Sequence, residues 1–209
     1  MVTMDTSQKV IIVGAGGLSR ELYSWLKNDF QVEGFIDDNL KALHEYNYPA
    51  TIISSIEDYS PSNDVKLVLG IMNPCTKKIV VEKLKAKGAK FLTFVHSTCI
   101  LGENVKLGEG VVICPLAVLT CDSEIGDFSF INVNSTLGHD CRVGKYCSIN
   151  SKVEIGGGNT IGKEVLIGSR ALILPGKKIS DNATVGSGSV VVGNISKPVS
   201  VFGNPARVL

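Results

Sequence analysis

The sequence predicts a small parallel α/β domain followed by a parallel β-helix of six-residue units, and three observations carry that reading. From Val95 to Val191 every sixth residue is Ile, Leu or Val, seventeen times in succession. These types make up 61 of the 209 residues, so a fixed register would show such a run by chance about once in 10⁹ trials. Composition is the second observation: 16 of the 22 glycines lie at or beyond Gly102, but 4 of the 13 aromatic residues lie beyond Val95. The third is a change of pattern, because before residue 95 short apolar runs alternate with helical stretches.

In chain order, Lys9–Val13 reads as a buried strand, followed by Gly14-Ala15-Gly16-Gly17 and a helix to about Lys27. Val32–Ile36 reads as a second strand, ending in Asp37-Asp38-Asn39. Val65–Ile71 is a third, after which Asn73-Pro74 opens a helix to about Lys87, with proline well placed near its start. Phe91–Val95 reads as a last strand that feeds the first coil, giving domains at 1–94 and 95–209. Strands alternating with helices imply a parallel sheet.

The loop between the first strand and helix has the composition of a phosphate site. Glycine lets the backbone come close, and a helix N-terminus offers N–H groups and a positive dipole end. Gly14, Gly16 and Gly17 are the candidate contacts; Ser19 stands where a full dinucleotide fingerprint has its third glycine. Asp37, 23 positions after Gly14, has the spacing to bind a ribose or base edge, with Asp38 beside it. Ninety residues make half a dinucleotide site, suited to a mononucleotide or nucleotide sugar rather than NAD. Glycines that only make a tight turn would give the same pattern.

In the second half, each unit joins an inward aliphatic, a following residue that is often glycine, and a small or β-branched residue four positions after the aliphatic. Glycine is read here as the turn-permissive residue. Three units make an 18-residue triangular coil, and seventeen units make between five and six coils, stacked at about 4.8 Å each. Aliphatics then stack on aliphatics, each coil covering the one before it. Lys177 and Asn159 are exceptions at the small position.

Charge and cysteine content narrow the function. The balance of 21 Lys+Arg against 20 Asp+Glu leaves +1, without the basic field that a nucleic-acid binder needs. No apolar run approaches the roughly 18–20 residues of a membrane span, and Val10–Val13 is too short for a secretory segment. The expectation is a soluble cytoplasmic protein. Its six cysteines lack a CxxC pair and are expected to be reduced packing residues, with Cys99, Cys141 and Cys147 pointing inward. No metal is expected.

Of the three histidines, His44 lies in a polar stretch and His96 at the junction into the first coil. His139 is the third residue of the unit Leu137-Gly138-His139-Asp140-Cys141-Arg142, so its side chain should point outward. Positions 18 apart stack, which puts His139, Gly157 and Pro175 in one column and Ser151, Ser169 and Ser187 in another.

Gly-Ala-Gly-Gly early, Gly34-Phe-Ile-Asp-Asp-Asn39 in the middle and Gly-His-Asp-Cys in a coil resemble the sialic-acid O-acetyltransferase (NeuD-type) family, which includes bacterial nucleotide-sugar N-acetyltransferases. The resemblance runs from Val10 to Phe202-Gly-Asn-Pro-Ala-Arg207. It implies a half-Rossmann-like domain joined to a β-helix that is left-handed, a homotrimer with sites between subunits, and acetyl transfer from acetyl-CoA. The acceptor it implies is the amino group of a UDP- or dTDP-linked 4-amino-4,6-dideoxy sugar. His139 would be the general base and Asp140 its carboxylate partner, with transfer direct. Gly157, through its N–H, Ser169 and Ser187 would contact acetyl-CoA, and the first domain would hold the nucleotide sugar. Lys177 and Lys178 would meet CoA phosphates or simply face solvent. Leu18 and Ser148 depart from the family, where histidines often stand. O-acetylation of a sialic-acid-like sugar and a non-catalytic nucleotide-binding scaffold are the alternatives.

Overall fold

The computed structural model describes residues 8–209. By internal contacts the chain forms two compact units, with the main change between Leu92 and Thr93. The first unit holds a five-stranded sheet. Its strands are β1 (Lys9–Val13), β2 (Gln31–Ile36), β3 (Ile52–Ser54), β4 (Val65–Leu69) and β5 (Lys90–Phe91), in the order β3-β2-β1-β4-β5. Every pair is parallel, as the alternation of strands with α1 (Gly17–Leu26) and α2 (Pro74–Ala86) requires. β1 lies in the middle, and its Val10–Val13 are at most 4% exposed.

Two readings are corrected here. The expected strand at 91–95 is two strands in different sheets: β5 pairs with β4, whereas Phe94–Val95 pairs with Val112–Ile113 of the β-helix. A two-residue break suffices to hand the chain from one sheet to the other, and the sequence marks it only by Thr93, itself a β-branched strand former. β3 has no counterpart in the sequence pattern. It is a three-residue edge strand, too short to show a period.

In the second unit, the described residues contain seventeen two-residue strands, from Phe94–Val95 to Val190–Val191, each ending on one of the seventeen aliphatics. Partners are 18 residues apart and parallel, so Leu119, Leu137, Ile155 and Ile173 stack in register, all at most 1% exposed. Burial of each such side chain is worth about 1.5–3 kcal/mol. Three sheets form the faces, and Ser200–Phe202 and Arg207–Val208 close the last one.

The small inward position has a polar task as well. Ser129 and Ser135 donate their hydroxyls to the carbonyls of Gly144 and Asn150, fifteen residues on, at 2.7 and 2.8 Å. Cys141 and Cys147 donate their thiols to Gly156 and Gly162 at 3.1 and 2.9 Å in the same way. Both cysteines are fully buried, whereas Cys99 in the first coil is half-buried. Asn159 fits because its amide bonds Gly156 O and the Lys177 N–H, both at 2.6 Å.

The glycines after the aliphatics are not the turn residues. The left-handed corner residue comes two positions later, and in most coils it is not glycine: Asp122, Phe128, Asn134, Asp140, Tyr146, Lys152, Glu164 and Arg170 all have φ between +57° and +61°. Each strained residue is held by its own N–H, which donates to the coil before it, as Asp140 N–H does to Cys121 O at 3.2 Å. What demands glycine one position past the aliphatic is steric. A Cβ on Gly144 would lie 2.6 Å from the Gly162 carbonyl carbon, and one on Gly138 would lie 2.5 Å from Gly157 N. Gly144→Ala is therefore expected to lower unfolding free energy by about 1–3 kcal/mol. Gly176→Asn, at a left-handed corner with open space, is expected to cost well under 1 kcal/mol. Denaturant melts of both variants check the order.

Candidate active site

His139 and Asp140 sit at the corner that follows the strand Thr136–Leu137. The left-handed turn at Asp140, φ +59°, accompanies a 2.7 Å hydrogen bond between its Oδ2 and His139 Nδ1. An ionised carboxylate only accepts, so Nδ1 is the donor in this bond, and in the neutral imidazole the lone pair then lies on Nε2. Both side chains are about two-thirds exposed, at 66% and 65%.

One coil on, Gly157 lies beside the imidazole. A Cβ there would be 2.6 Å from Nε2 and 2.9 Å from both neighbouring ring carbons, so no side chain fits without moving the ring. The Gly157 N–H takes no part in the ladder between coils, whereas its neighbour Gly158 N–H donates to His139 O at 2.7 Å. A base and an uncommitted donor thus stand side by side, the two elements that attack on a thioester needs.

The column arithmetic also reaches Cys121, one coil before His139, which the sequence reading passed over. Its thiol is exposed and is pushed up in pKa, first by a hydrogen bond to Asp122 and also by the Asp122 and Asp140 charges. Cys141, inside the coil, is pushed up by burial. Neither is poised as a thiolate nucleophile.

Ser169 and Ser187 lie on a different corner, the one before the strands Glu154–Ile155 and Leu172–Ile173, together with Ser151. Ser151 Oγ and Ser169 Oγ are 3.2 Å apart. Within one chain, a whole face separates them from His139. Lys177 and Lys178 offer backbone N–H groups to Asn159 and Asn194. A cavity of about 500 Å³ opens at the end of the β-helix among Val191, Ile195 and Val199, away from the His–Asp pair.

In the first unit, Gly16 and Gly17 are exposed at the start of α1, which has no side-chain cap and no acid in its first turn. Gly14 has φ +94° and requires glycine. Ser19 is fully buried and its hydroxyl donates to Gly70 O at 3.2 Å. A Cβ on Gly70 would meet that hydroxyl, so the glycine missing from the helix is supplied by the strand end opposite. Asp37 is spent on the loop itself, accepting from Ala15 N–H at 2.7 Å and Asn39 N–H at 2.8 Å. Asp38 turns to Ile56 and Glu57, whose N–H groups it accepts at 2.9 and 3.3 Å. The structure therefore gathers Gly14, Gly16, Gly17 and Asp37, and gives Asp38 a structural bond elsewhere. His44 is exposed, and His96 bonds Thr98 through Nδ1 at 2.9 Å.

Comparison with known proteins bears on both units. Residues 9–84 match the PglD N-terminal domain model, and residues 92–189 match that of the GMPPB C-terminal domain. The structure superposes on the acetyltransferase domain of PglB from Neisseria gonorrhoeae with a TM-score of 0.88, 22% identity, and coverage of 97% of this chain and 100% of that one. The chain has the architecture of the sugar N-acetyltransferases. That architecture includes the left-handed β-helix that the resemblance implied. PerB from Caulobacter crescentus, solved with CoA and GDP-perosamine, superposes with a TM-score of 0.87 at 24% identity, covering 96% and 97% of the two chains. A UDP-N-acetylbacillosamine N-acetyltransferase of Bacillus subtilis is 27% identical over 113 residues, 51% of this chain. The match spans about half of that relative, 51% of its length. No helix among the described residues is long and apolar enough to cross a membrane, and no group of three or more His, Cys, Asp or Glu there would hold a metal.

Proposed function

We propose that this sugar N-acetyltransferase fold transfers acetyl from acetyl-CoA to the amino group of a nucleotide-linked amino sugar, with His139 as general base. The observation that carries the reading is the His139–Asp140 bond at 2.7 Å with Gly157 kept bare beside Nε2. The acceptor amine attacks the thioester carbon, Nε2 takes its proton, and the Gly157 N–H stabilises the oxyanion. The C–S bond then breaks, and the imidazolium returns the proton to the departing thiolate. Asp140 holds the tautomer and stabilises the imidazolium. Two thiols held protonated support direct transfer over an acyl-enzyme.

The glycine loop at Gly14, Gly16 and Gly17 would receive the nucleotide sugar, with Asp37 holding the loop in shape. Asp37→Ala removes two acceptors from backbone N–H groups, one on Ala15, which is 2% exposed. The expected result is a KM for the nucleotide sugar raised about tenfold, with a stability loss of about 1–3 kcal/mol. Steady-state kinetics and a melt check both. A base as exposed as His139 needs a second wall to exclude water, which a homotrimer with sites between subunits would provide. The decisive experiment offers acetyl-CoA with UDP-, dTDP- and GDP-linked amino sugars and with a sialic-acid-like hydroxyl acceptor, following release of free CoA. Release with an amino sugar supports the reading, and release with none of the amino sugars overturns it.

A further inference from the structure

Asn159 is one of the two exceptions at the small inward position of the coils, and it follows Gly157 by two residues. Where that position carries a donor in other coils, the group reaches one carbonyl fifteen residues on. Ser123 bonds Gly138 O at 3.1 Å, Ser129 bonds Gly144 O at 2.7 Å, Ser135 bonds Asn150 O at 2.8 Å and Cys147 bonds Gly162 O at 2.9 Å. None of these four carbonyls has a second side-chain donor among the described residues.

Gly156 O has two. Cys141 Sγ reaches it from the coil before at 3.1 Å, as the pattern requires. Asn159 Nδ2 reaches back three residues and donates to the same oxygen at 2.6 Å. The other end of that amide is committed as well, because Oδ1 accepts from the Lys177 N–H of the next coil at 2.6 Å. An acceptor at one end and a donor at the other leave the amide a single orientation. Asn159 is fully buried, so both bonds are shielded from water.

The second donor bears on the reaction because Gly156 C=O and Gly157 N–H belong to one peptide group. That group is planar and trans, so fixing the direction of its carbonyl fixes the opposite direction of its N–H. The carbonyl is drawn to Asn159 and Cys141, which are buried, and the N–H is turned the other way, at the residue beside the His139 imidazole. A donor on the carbonyl also polarises the N–H across the peptide, by about 10–30% per bond. An uncommitted N–H alone does not distinguish Gly157, since Cys121 and Lys145 have one at the equivalent position. Their peptide carbonyls differ: Thr120 O has no side-chain donor and Gly144 O has one.

Resting on the acetyl-transfer reading above, we propose that Asn159 is a positioning residue for this reaction. Its amide holds the Gly156–Gly157 peptide so that the Gly157 N–H is already aimed when the oxyanion forms. No atom of Asn159 meets a substrate. A donor fixed in advance needs no reorganisation as charge develops, and that is the source of its effect on rate.

The test replaces Asn159 with serine, which other coils carry at this position. Ser129 and Ser135 also accept the N–H eighteen residues on, from Cys147 at 3.0 Å and Val153 at 3.2 Å. Asn159→Ser therefore keeps an acceptor for the Lys177 N–H and removes the second donor from Gly156 O. Loss of an oxyanion donor costs about 10²- to 10³-fold in rate; here the N–H stays and only its hold is lost, so kcat is expected to fall about tenfold. Both KM values should stay within about twofold. Ser129→Ala, which strips the side-chain donor from Gly144 O in another coil, should leave kcat unchanged. If the serine variant folds poorly, Asn159→Cys repeats the change with the side chain found at Cys141 and Cys147. A second readout requires no turnover: the infrared stretch of bound acetyl-CoA labelled at its carbonyl carbon. The Gly157 N–H lowers that frequency, and Asn159→Ser should raise it. A kcat within about twofold of the starting protein overturns the proposal, as does an equal loss from Ser129→Ala or an unmoved carbonyl stretch. If the unaltered protein acetylates no acceptor yet the variant moves the stretch, the catalytic reading falls and the positioning role stands. If it turns over and the variant changes neither kcat nor the stretch, the reverse holds. If acetyl-CoA does not bind the unaltered protein, both fall.

Discussion

Replacing His139 with alanine is expected to lower kcat by about 10²- to 10⁴-fold, the usual worth of a positioned general base. The protein should fold as before. The imidazole is two-thirds exposed, its side-chain bond is to Asp140, and the backbone bond that His139 O accepts from Gly158 N–H survives the change. A melting temperature within about 2 °C of the starting protein would match a surface substitution in a chain of this size. KM values for acetyl-CoA and acceptor should move little, because the base acts on a proton in flight. Turnover within a few-fold of the starting protein would remove His139 from the mechanism.

Gly157→Ala, which leaves every polar group in place, should be nearly as damaging. Its methyl would sit 2.6 Å from His139 Nε2. The ring is the movable partner, so it swings aside and gives up the 2.7 Å bond to Asp140. Displacement of about 1 Å at a reacting atom costs on the order of 10²-fold in rate. The diagnostic is the double variant. Once His139 is alanine the methyl has no imidazole to displace, so adding Gly157→Ala to His139→Ala should slow the enzyme little further. Losses that multiply in full would mean that Gly157 acts by a route other than the position of the ring.

Much of this was legible in the chain. The six-residue aliphatic period marked all seventeen strands of the β-helix, since each inward position obeys the same packing constraint in every coil. The 18-residue column arithmetic placed Gly157 beside His139 before any coordinate was needed. The same spacing, carried one coil down as well as up, reaches Cys121. Other features have no local signature. The break at Leu92–Thr93 is marked only by Thr93, itself a strand former, and β3 is three residues of an edge.

The sequence by itself determined the period, the two-part order and the outward His139–Asp140 pair, because periodicity and adjacency are properties of a line of residues. Which glycines turn the chain was decided only in three dimensions. The left-handed corners fall on residues such as Phe128 and Asp140, and Gly138, Gly144 and Gly157 are bare because another coil or another side chain occupies the space a Cβ would take. Asp37 and Asp38 differ for the same kind of reason. Adjacent and identical in the chain, one braces the glycine loop and the other caps Ile56 and Glu57, since each carboxylate answers the N–H groups the fold brings to it.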